Sequence, residues 1–110
     1  MANKYFRQYL IPDAGVATEI YATPDANTAI IRSLRVTNPT STPTLVTVTQ
    51  FAYGVATGNV LQGSRPLGAN STFDVFNGIP CVLESQDTLE VTSSEAGVHF
   101  YLSYLEVDRT

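Results

Sequence analysis

The stretch TAIIRSLRVT at residues 28–37 decides the fold class of this chain. If it is extended, Ile30, Leu34 and Val36 share one face, and polar or charged side chains occupy most of the other. Alternation with a period of two is typical of a β-strand that turns one face toward a core. The Asn-Pro dipeptide that follows is a turn signal. We therefore predict a strand over residues 28–37.

Two places break this alternation. Ile31 and Arg32 are out of phase with their neighbours in the same stretch. In the last apolar run, residues 98–107, the apolar positions change from even to odd numbers at Leu105. A β-bulge inserts one extra residue and shifts the phase of a strand. We expect a bulge near Ser103 that returns the end of this run to the core side.

On both sides of this stretch, short runs of β-forming residues alternate with Gly, Pro, Asn and Asp. The predicted strands cover residues 4–11, 17–22, 28–37, 44–53, 71–76, 81–83, 88–92 and 98–107. About eight short strands predict an all-β fold, a single antiparallel β-sandwich of jelly-roll type over residues 1–110. Residues 1–12 form either an N-terminal arm or an edge strand. Segment 54–70 is longer than most loops, and residues 59–62 fit a further short strand.

Composition limits the classes of partner. The 110 residues carry a net charge of −4, only 15% are charged, and Thr and Ser number 14 and 8. The six cations are scattered, and the closest pair apart from the first strand, Arg32 and Arg35, should lie on opposite faces of a strand. We therefore expect no nucleic-acid binding.

No apolar run is long enough to span a membrane, and no signal peptide is present. We expect a complete small protein made in the host cytoplasm.

Reactive groups are few. His99 is the one imidazole and Cys81 the one thiol, and no hydrolase or nucleotide-binding motif accompanies them. The ten carboxylates are dispersed, and the spacing of Asp25 and Asn27 lacks the further ligands of a calcium loop. We therefore expect a protein that is not an enzyme, with no catalytic residue, no metal and no cofactor.

The N-terminal segment is the first predicted contact region. Tyr and Arg suit interfaces because they combine contact area with a directed polar group. The predicted partner contacts in this segment are Tyr5, Phe6, Arg7 and Tyr9. A second predicted contact region lies in the long segment, at Arg65 and Leu67.

Two longer stretches resemble a module of small phage virion proteins. They are IYATPDANTAIIRSLRVTNPTSTPTLVTV at residues 20–48 and LGANSTFDVFNGIPCVLESQDTLEVTSSEAGVHFYLSYLEV at residues 67–107. The motifs that carry the resemblance are Val82-Leu83-Glu84, Asp87-Thr88-Leu89-Glu90-Val91, Gly97-Val98 and Leu105-Glu106-Val107. The resemblance covers roughly residues 20–107, most of the chain, and its motifs are structural. It leaves the N-terminal segment and the long segment undefined.

The resemblance implies a β-sandwich of the virion, most like a capsid decoration (cement) protein. Such a protein would form a homotrimer, bind the major capsid protein and stabilise the outer surface of the head shell. The alternative is a tail- or fibre-associated virion protein that binds a host-surface glycan. A glycan binder would stack sugar rings on exposed aromatic side chains, for which Tyr53, Tyr101 and Tyr104 are candidates, although the chain has no Trp.

Overall fold

The computed structural model describes residues 3–55, 58–77 and 79–108, and within these ranges it contains nine β-strands and no helix. The strands are β1 (Asn3–Leu10), β2 (Thr18–Ala22), β3 (Asn27–Asn38), β4 (Thr44–Phe51), β5 (Asn59–Leu67), β6 (Ser71–Asp74), β7 (Cys81–Leu83), β8 (Thr88–Ser93) and β9 (His99–Asp108). The eight predicted strands are all present, with ends shifted by two residues at most. Turn residues at short intervals set these ends, which is why the sequence located them well.

The strands form two antiparallel sheets that make an all-β sandwich. The five-stranded sheet has the order β1-β9-β3-β6, and β7 also pairs with β3. The four-stranded sheet has the order β2-β8-β4-β5. Strand β1 lies at the edge of its sheet and pairs with β9 along its whole length. The chain therefore passes repeatedly from one sheet to the other, and residues far apart in sequence become neighbours.

The core lies between the inner faces of the two sheets. The five-stranded sheet contributes fully buried apolar side chains, among them Ile31, Leu34, Val36, Leu83, Phe100 and Leu102. The four-stranded sheet contributes Val46, Val48, Leu89 and Val91 in the same way. These side chains recur at every second position of their strands, so the predicted alternation holds over most of the core.

The first break in the alternation is a β-bulge in β3. The pairing with β9 slips between Ile31 and Ser33, so that Arg32 is the extra residue opposite Ser103. Because of this slip Ile31 faces the core, whereas Ile30 lies on the outer face, paired with Leu105. The prediction that Ile30 covers the core is wrong for that reason.

The predicted bulge in the last strand is wrong as well. The pairing of β9 with β1 runs without a slip past Ser103, and the irregularity belongs to β3. Leu105 therefore stays on the outer face and is half-buried there. The alternation of apolar residues in the sequence predicted a bulge near Ser103 in β9, whereas the bulge lies in the paired strand β3.

The second bulge lies in β2, where the pairing with β8 slips between Glu19 and Tyr21. Ile20 is the extra residue, and both Ile20 and Tyr21 are buried in the core. The Tyr21 hydroxyl donates a hydrogen bond to the Glu106 carboxylate of the other sheet, and the Tyr21 ring packs on Tyr104 at a centroid distance of 4.4 Å. This polar contact joins the two sheets at one end of the sandwich.

Most of the long segment 54–70 is strand rather than loop, because β5 covers Asn59–Leu67. It forms the edge of the four-stranded sheet beside β4, with two slips in register. Pro66 within it is compatible with this position, since an edge strand tolerates a residue that lacks an N–H donor. The expected strand at residues 59–62 is confirmed and extends five residues further.

A buried polar side chain fixes the loops at each end of the sandwich. The Asn38 amide donates to the carbonyls of Thr42 and Gly68, at 2.8 and 3.2 Å, and so joins two loops. At the other end, Asp87 accepts hydrogen bonds from the backbone amides of Tyr53 and Glu84, both at 3.0 Å. Both side chains are buried and hydrogen-bonded, which satisfies the polar groups that the loops remove from water.

Candidate contact surface on the five-stranded sheet

The outer face of the five-stranded sheet carries its side chains in rows, because residues that pair across strands point to the same side. One row is apolar and crosses the whole sheet: Tyr5, Leu105, Ile30 and Val82. A second row consists of Tyr9, Tyr101, Arg35 and Asp74. Several of these side chains are open to solvent, with Tyr5 at 72%, Tyr9 at 75% and Val82 at 55% exposure.

A third row lies between the apolar row and the row that contains Tyr9. It includes small side chains and forms the floor of a depression. Arg7 pairs with Ser103, and Ser103 faces both Ser33 and the extra residue Arg32 of the bulge. The open depression has a volume of about 420 Å³ and is lined by Tyr5, Phe6, Arg7, Arg32, Tyr101, Ser103 and Tyr104. Two serines between rows of tyrosines and leucine leave a gap in the sheet surface, which explains its position.

The depression is positively charged. Arg7 and Arg32 line it, both are exposed, and neither forms an ion pair with any residue in the described ranges. Arg35 lies on the same face, 5.7 Å from the centre of the Tyr101 ring. Beside Arg35 in the same row, the carboxylate of Asp74 accepts hydrogen bonds from the backbone amides of Leu34 and Phe76. Unpaired guanidinium groups between aromatic side chains suit a partner that carries carboxylates.

The structure brings together the contact residues that the sequence predicted in β1. Tyr5, Phe6 and Arg7 all line the depression, and Tyr9 follows on the same face as Tyr5. The Phe6 ring, on the opposite side of the strand, stacks on Tyr104 at a centroid distance of 5.6 Å. Tyr5, Arg7 and Tyr9 therefore share the outer face of the sheet, whereas the Phe6 side chain lies on the other side of β1.

The two contacts predicted in the long segment lie elsewhere. Arg65 lies on β5, the edge of the other sheet, with its guanidinium 4.1 Å from the centre of the Phe73 ring. Leu67 is only 5% exposed and packs in the core, so its prediction as a partner contact is corrected. Sequence reasoning placed Leu67 in a loop, whereas it ends a strand and points inward.

Sequence reasoning missed Arg32, Arg35 and Ser103 as parts of this surface, and it named Tyr101 only as a candidate for stacking a sugar ring. The prediction that Arg32 and Arg35 lie on opposite faces is wrong, because the bulge places Arg32 opposite Ser103, on the side that also carries Arg35. The available signal was the broken alternation at Ile31 and Arg32. It indicated a bulge, but the direction of the extra side chain depends on pairing with β9.

The other reactive side chains lie apart from this surface. His99 is exposed, and Cys81 is half-buried against the core, where burial raises the pKa of its thiol. Within the described ranges, no three His, Cys, Asp or Glu side chains are grouped so that they could hold a metal ion. No helix among the described residues has the length and apolarity needed to cross a membrane.

Comparison with known proteins gives likenesses of structure alone. No protein-family model and no curated protein matches the chain. A subunit of the disulfide-linked pili that form Bacillus endospore appendages is similar, with a TM-score of 0.61, 14% identity and coverage of 99% of this chain and 88% of that one. A chain of the infectious bursal disease virus T=13 particle is also similar, with a TM-score of 0.58, 10% identity and 94% coverage of this chain.

A chain from T=1 particles derived from the same virus gives a TM-score of 0.58 and 10% identity over 94% of this chain. The present chain spans about 30% of the length of these viral chains and most of the length of the pilus subunit. At these identities the likeness shows a shared fold. That fold therefore occurs in chains built into a pilus and into virus particles, and the resemblance to phage decoration proteins stays a prediction.

Proposed function

We propose that this protein is a structural component of a phage virion, a capsid decoration protein that binds the outer surface of the head shell and stabilises it. The observation that carries the proposal is the outer face of the five-stranded sheet, where Tyr5, Tyr9 and Val82 expose apolar and aromatic surface on both sides of the depression. Exposed apolar patches of this kind mark interaction surfaces. Tyrosines beside arginines are the side chains that contribute most at protein interfaces.

Two further observations support an assembly role. The strand orders β1-β9-β3-β6 and β2-β8-β4-β5 fit a jelly roll if β6 and β7 count as one interrupted strand, and jelly rolls build many virus shells. The structural likenesses are to chains of virus particles and of a pilus.

The physical mechanism is multivalent binding. One contact by a single small sandwich is weak. In a homotrimer the second and third contacts with the major capsid protein become intramolecular, so the overall affinity greatly exceeds that of one contact. Ligands that bind only the assembled shell stabilise it by mass action. The proposal therefore assigns this protein to the capsid surface of the virion.

The test adds purified protein to undecorated heads of the parent phage and measures binding and the temperature of head disruption. We expect binding and a higher disruption temperature. A Tyr5→Ala/Tyr9→Ala variant should lose most of both effects, whereas Tyr53→Ala, an exposed tyrosine away from this sheet face, should keep them. Heads that neither bind the wild-type protein nor gain stability would contradict the proposal.

The depression favours one alternative, a tail- or fibre-associated protein that binds a host-surface glycan. Tyr5 and Tyr101 line it, and its volume lies within the range of small-molecule sites. Of the predicted stacking residues, Tyr104 is buried and Tyr53 lies outside the depression, so Tyr101 is the one that fits. A glycan array in which Tyr101→Ala abolishes a wild-type signal would support this alternative over the first proposal.

A further inference from the structure

The outer face of the four-stranded sheet carries acidic side chains, whereas the outer face of the five-stranded sheet carries arginines. Glu19 of β2 pairs directly with Glu90 of β8, and this pair lies in one row with Thr49 and Val60. Neighbouring positions of β4 and β8 on the same face carry threonines, among them Thr47 and Thr92. No Lys or Arg occurs in β2, β4 or β8.

The two glutamates are uncompensated in the isolated chain. Neither Glu19 nor Glu90 forms an ion pair or a side-chain hydrogen bond within the described ranges, and Glu19 is exposed. Like charges directly opposite each other on neighbouring strands destabilise a sheet. A partner that brings cations to this pair would remove the repulsion.

The depression on the five-stranded sheet presents matching groups, because Arg7 and Arg32 lie there without acidic partners. We propose that copies of this chain associate face to face. The five-stranded sheet of one copy would cover the four-stranded sheet of the next, with Glu19 and Glu90 of one seated at Arg7 and Arg32 of the other. Guanidinium–carboxylate pairs are directional and become stronger as water is excluded.

Apolar surface supports the same contact. The apolar row from Tyr5 to Val82 flanks the arginines on one face, and Val60 extends the glutamate row on the other; Val60 is 58% exposed. The second face also carries the exposed Leu45 and several threonines, which cost less to remove from water than charged side chains. Burial of both faces would add an apolar contribution to the ionic one.

Because two different faces meet, the contact is heterologous. Such contacts close into rings when the rotation allows it and otherwise continue as open chains. The inference deepens the proposed function and rests on it for the expectation of self-association. The two sheet faces join copies of the chain, and the assembly binds the shell through the surface that stays free, so that loss of Tyr5 and Tyr9 weakens shell binding through lost multivalency. The test uses the purified chain without heads, so its failure leaves shell binding to be judged separately.

The experiment compares two neutralised variants by sedimentation velocity and native mass spectrometry at low salt. We expect the wild type to self-associate and Arg7→Gln/Arg32→Gln and Glu19→Gln/Glu90→Gln each to associate about tenfold or more weakly. A 1:1 mixture of the two variants should form heterodimers only, because each retains the face that the other lacks. Added salt should weaken the wild-type assembly by screening the ion pairs.

A matched control removes two acidic charges from turns outside the strands, Asp13→Asn/Glu95→Gln, and should associate like the wild type. A wild type that stays monomeric would overturn the inference, as would variants that assemble normally or a mixture without heterodimers. Binding of a uronate oligosaccharide to the monomeric chain through Arg7 and Arg32 would identify a saccharide, and not a second copy, as the ligand of the depression. That result would also overturn the inference. Thermal unfolding of each variant confirms that the exposed substitutions leave the fold intact.

Discussion

The bulges in β2 and β3 each add one residue to a strand, and their consequences are opposite. Each inserts one residue into an antiparallel pair, so two consecutive side chains point to one face of the sheet. In β2 both side chains, Ile20 and Tyr21, enter the core. In β3 the bulge brings Arg32 opposite Ser103, on the outer face, where it lines the depression.

This difference shows that a bulge shifts the alternation of inward and outward side chains along a strand. It does not determine which face of the sheet the extra side chain occupies. The side chain of the extra residue and its neighbours decide whether the irregularity adds to stability or to the surface. In β2 the side chains of Ile20 and Tyr21 pack inside the sandwich, where their burial stabilises the fold. In β3 the charged side chain of Arg32 remains exposed to water, where a partner can contact it. The following substitutions and deletions separate these two roles.

The largest expected effect comes from deletion of Ile20. The neighbours Glu19 and Tyr21 keep their present partners Glu90 and Leu89, so the strand becomes regular. The lost interaction is the burial of one isoleucine, and we expect the free energy of unfolding to fall by about 2–5 kcal/mol. Urea unfolding followed by circular dichroism measures it. A loss near zero would show that the inward bulge does not contribute to stability.

Tyr21→Phe keeps the ring in the core and removes the hydroxyl that donates to Glu106. The carboxylate loses a donor at a half-buried position, and we expect a loss of about 1–2 kcal/mol near neutral pH. The same unfolding experiment tests it, with Tyr53→Phe at an exposed position as the control. Equal stability of both variants would contradict the assigned role of the hydrogen bond.

Alkaline pH provides a second test of the inward bulge. Burial, with the Glu106 hydrogen bond and charge, raises the pKa of the Tyr21 phenol above its ordinary value. The unfolded chain releases this proton near pH 10 while the folded chain retains it, so stability present below pH 10 falls as pH rises further. Tyr21→Phe should lower the slope of stability against pH in that range. Some slope should remain, because burial and Glu106 also raise the pKa of Tyr104.

Deletion of Arg32 should have the smallest effect on stability. Ile31 and Ser33 keep their partners Tyr104 and Ser103, and the residue removed is exposed. We expect a change within about 0.5 kcal/mol, as for surface positions generally. Self-association at low salt should nevertheless weaken, since the deletion removes one of the two arginines of the depression. A loss comparable with that of Ile20 would show that the two bulges are energetically alike.

The strands and their ends could be predicted from sequence because both are local properties. The alternation at Leu34 and Val36 and the turn signals between strands depend only on neighbouring residues. Strand β5 was harder, since Gly63, Ser64 and Pro66 are poor strand formers and the strand exists through its pairing with β4. Leu67 was misplaced for this reason.

Residue types alone singled out the exposed side chains of Tyr5, Arg7 and Tyr9 in β1, and their role as partner contacts stays a prediction. Their neighbours on the surface were not found. Arg35 and Tyr101 are far apart in sequence and meet only because β3 pairs with β9. The glutamate pair of the other sheet, Glu19 and Glu90, likewise follows from the pairing of β2 with β8.

By itself the sequence determined that this chain forms short strands with one apolar side, because a side-chain period of two and turn residues act within a few positions. Only the tertiary structure decided which faces Arg32 and Tyr21 occupy, and that Arg7 and Arg32 gather on one sheet while Glu19 and Glu90 gather on the other. The physical reason is that cross-strand register is a non-local property: one inserted residue reverses the face of the side chains that follow it, and only the partner strand determines where the insertion lies.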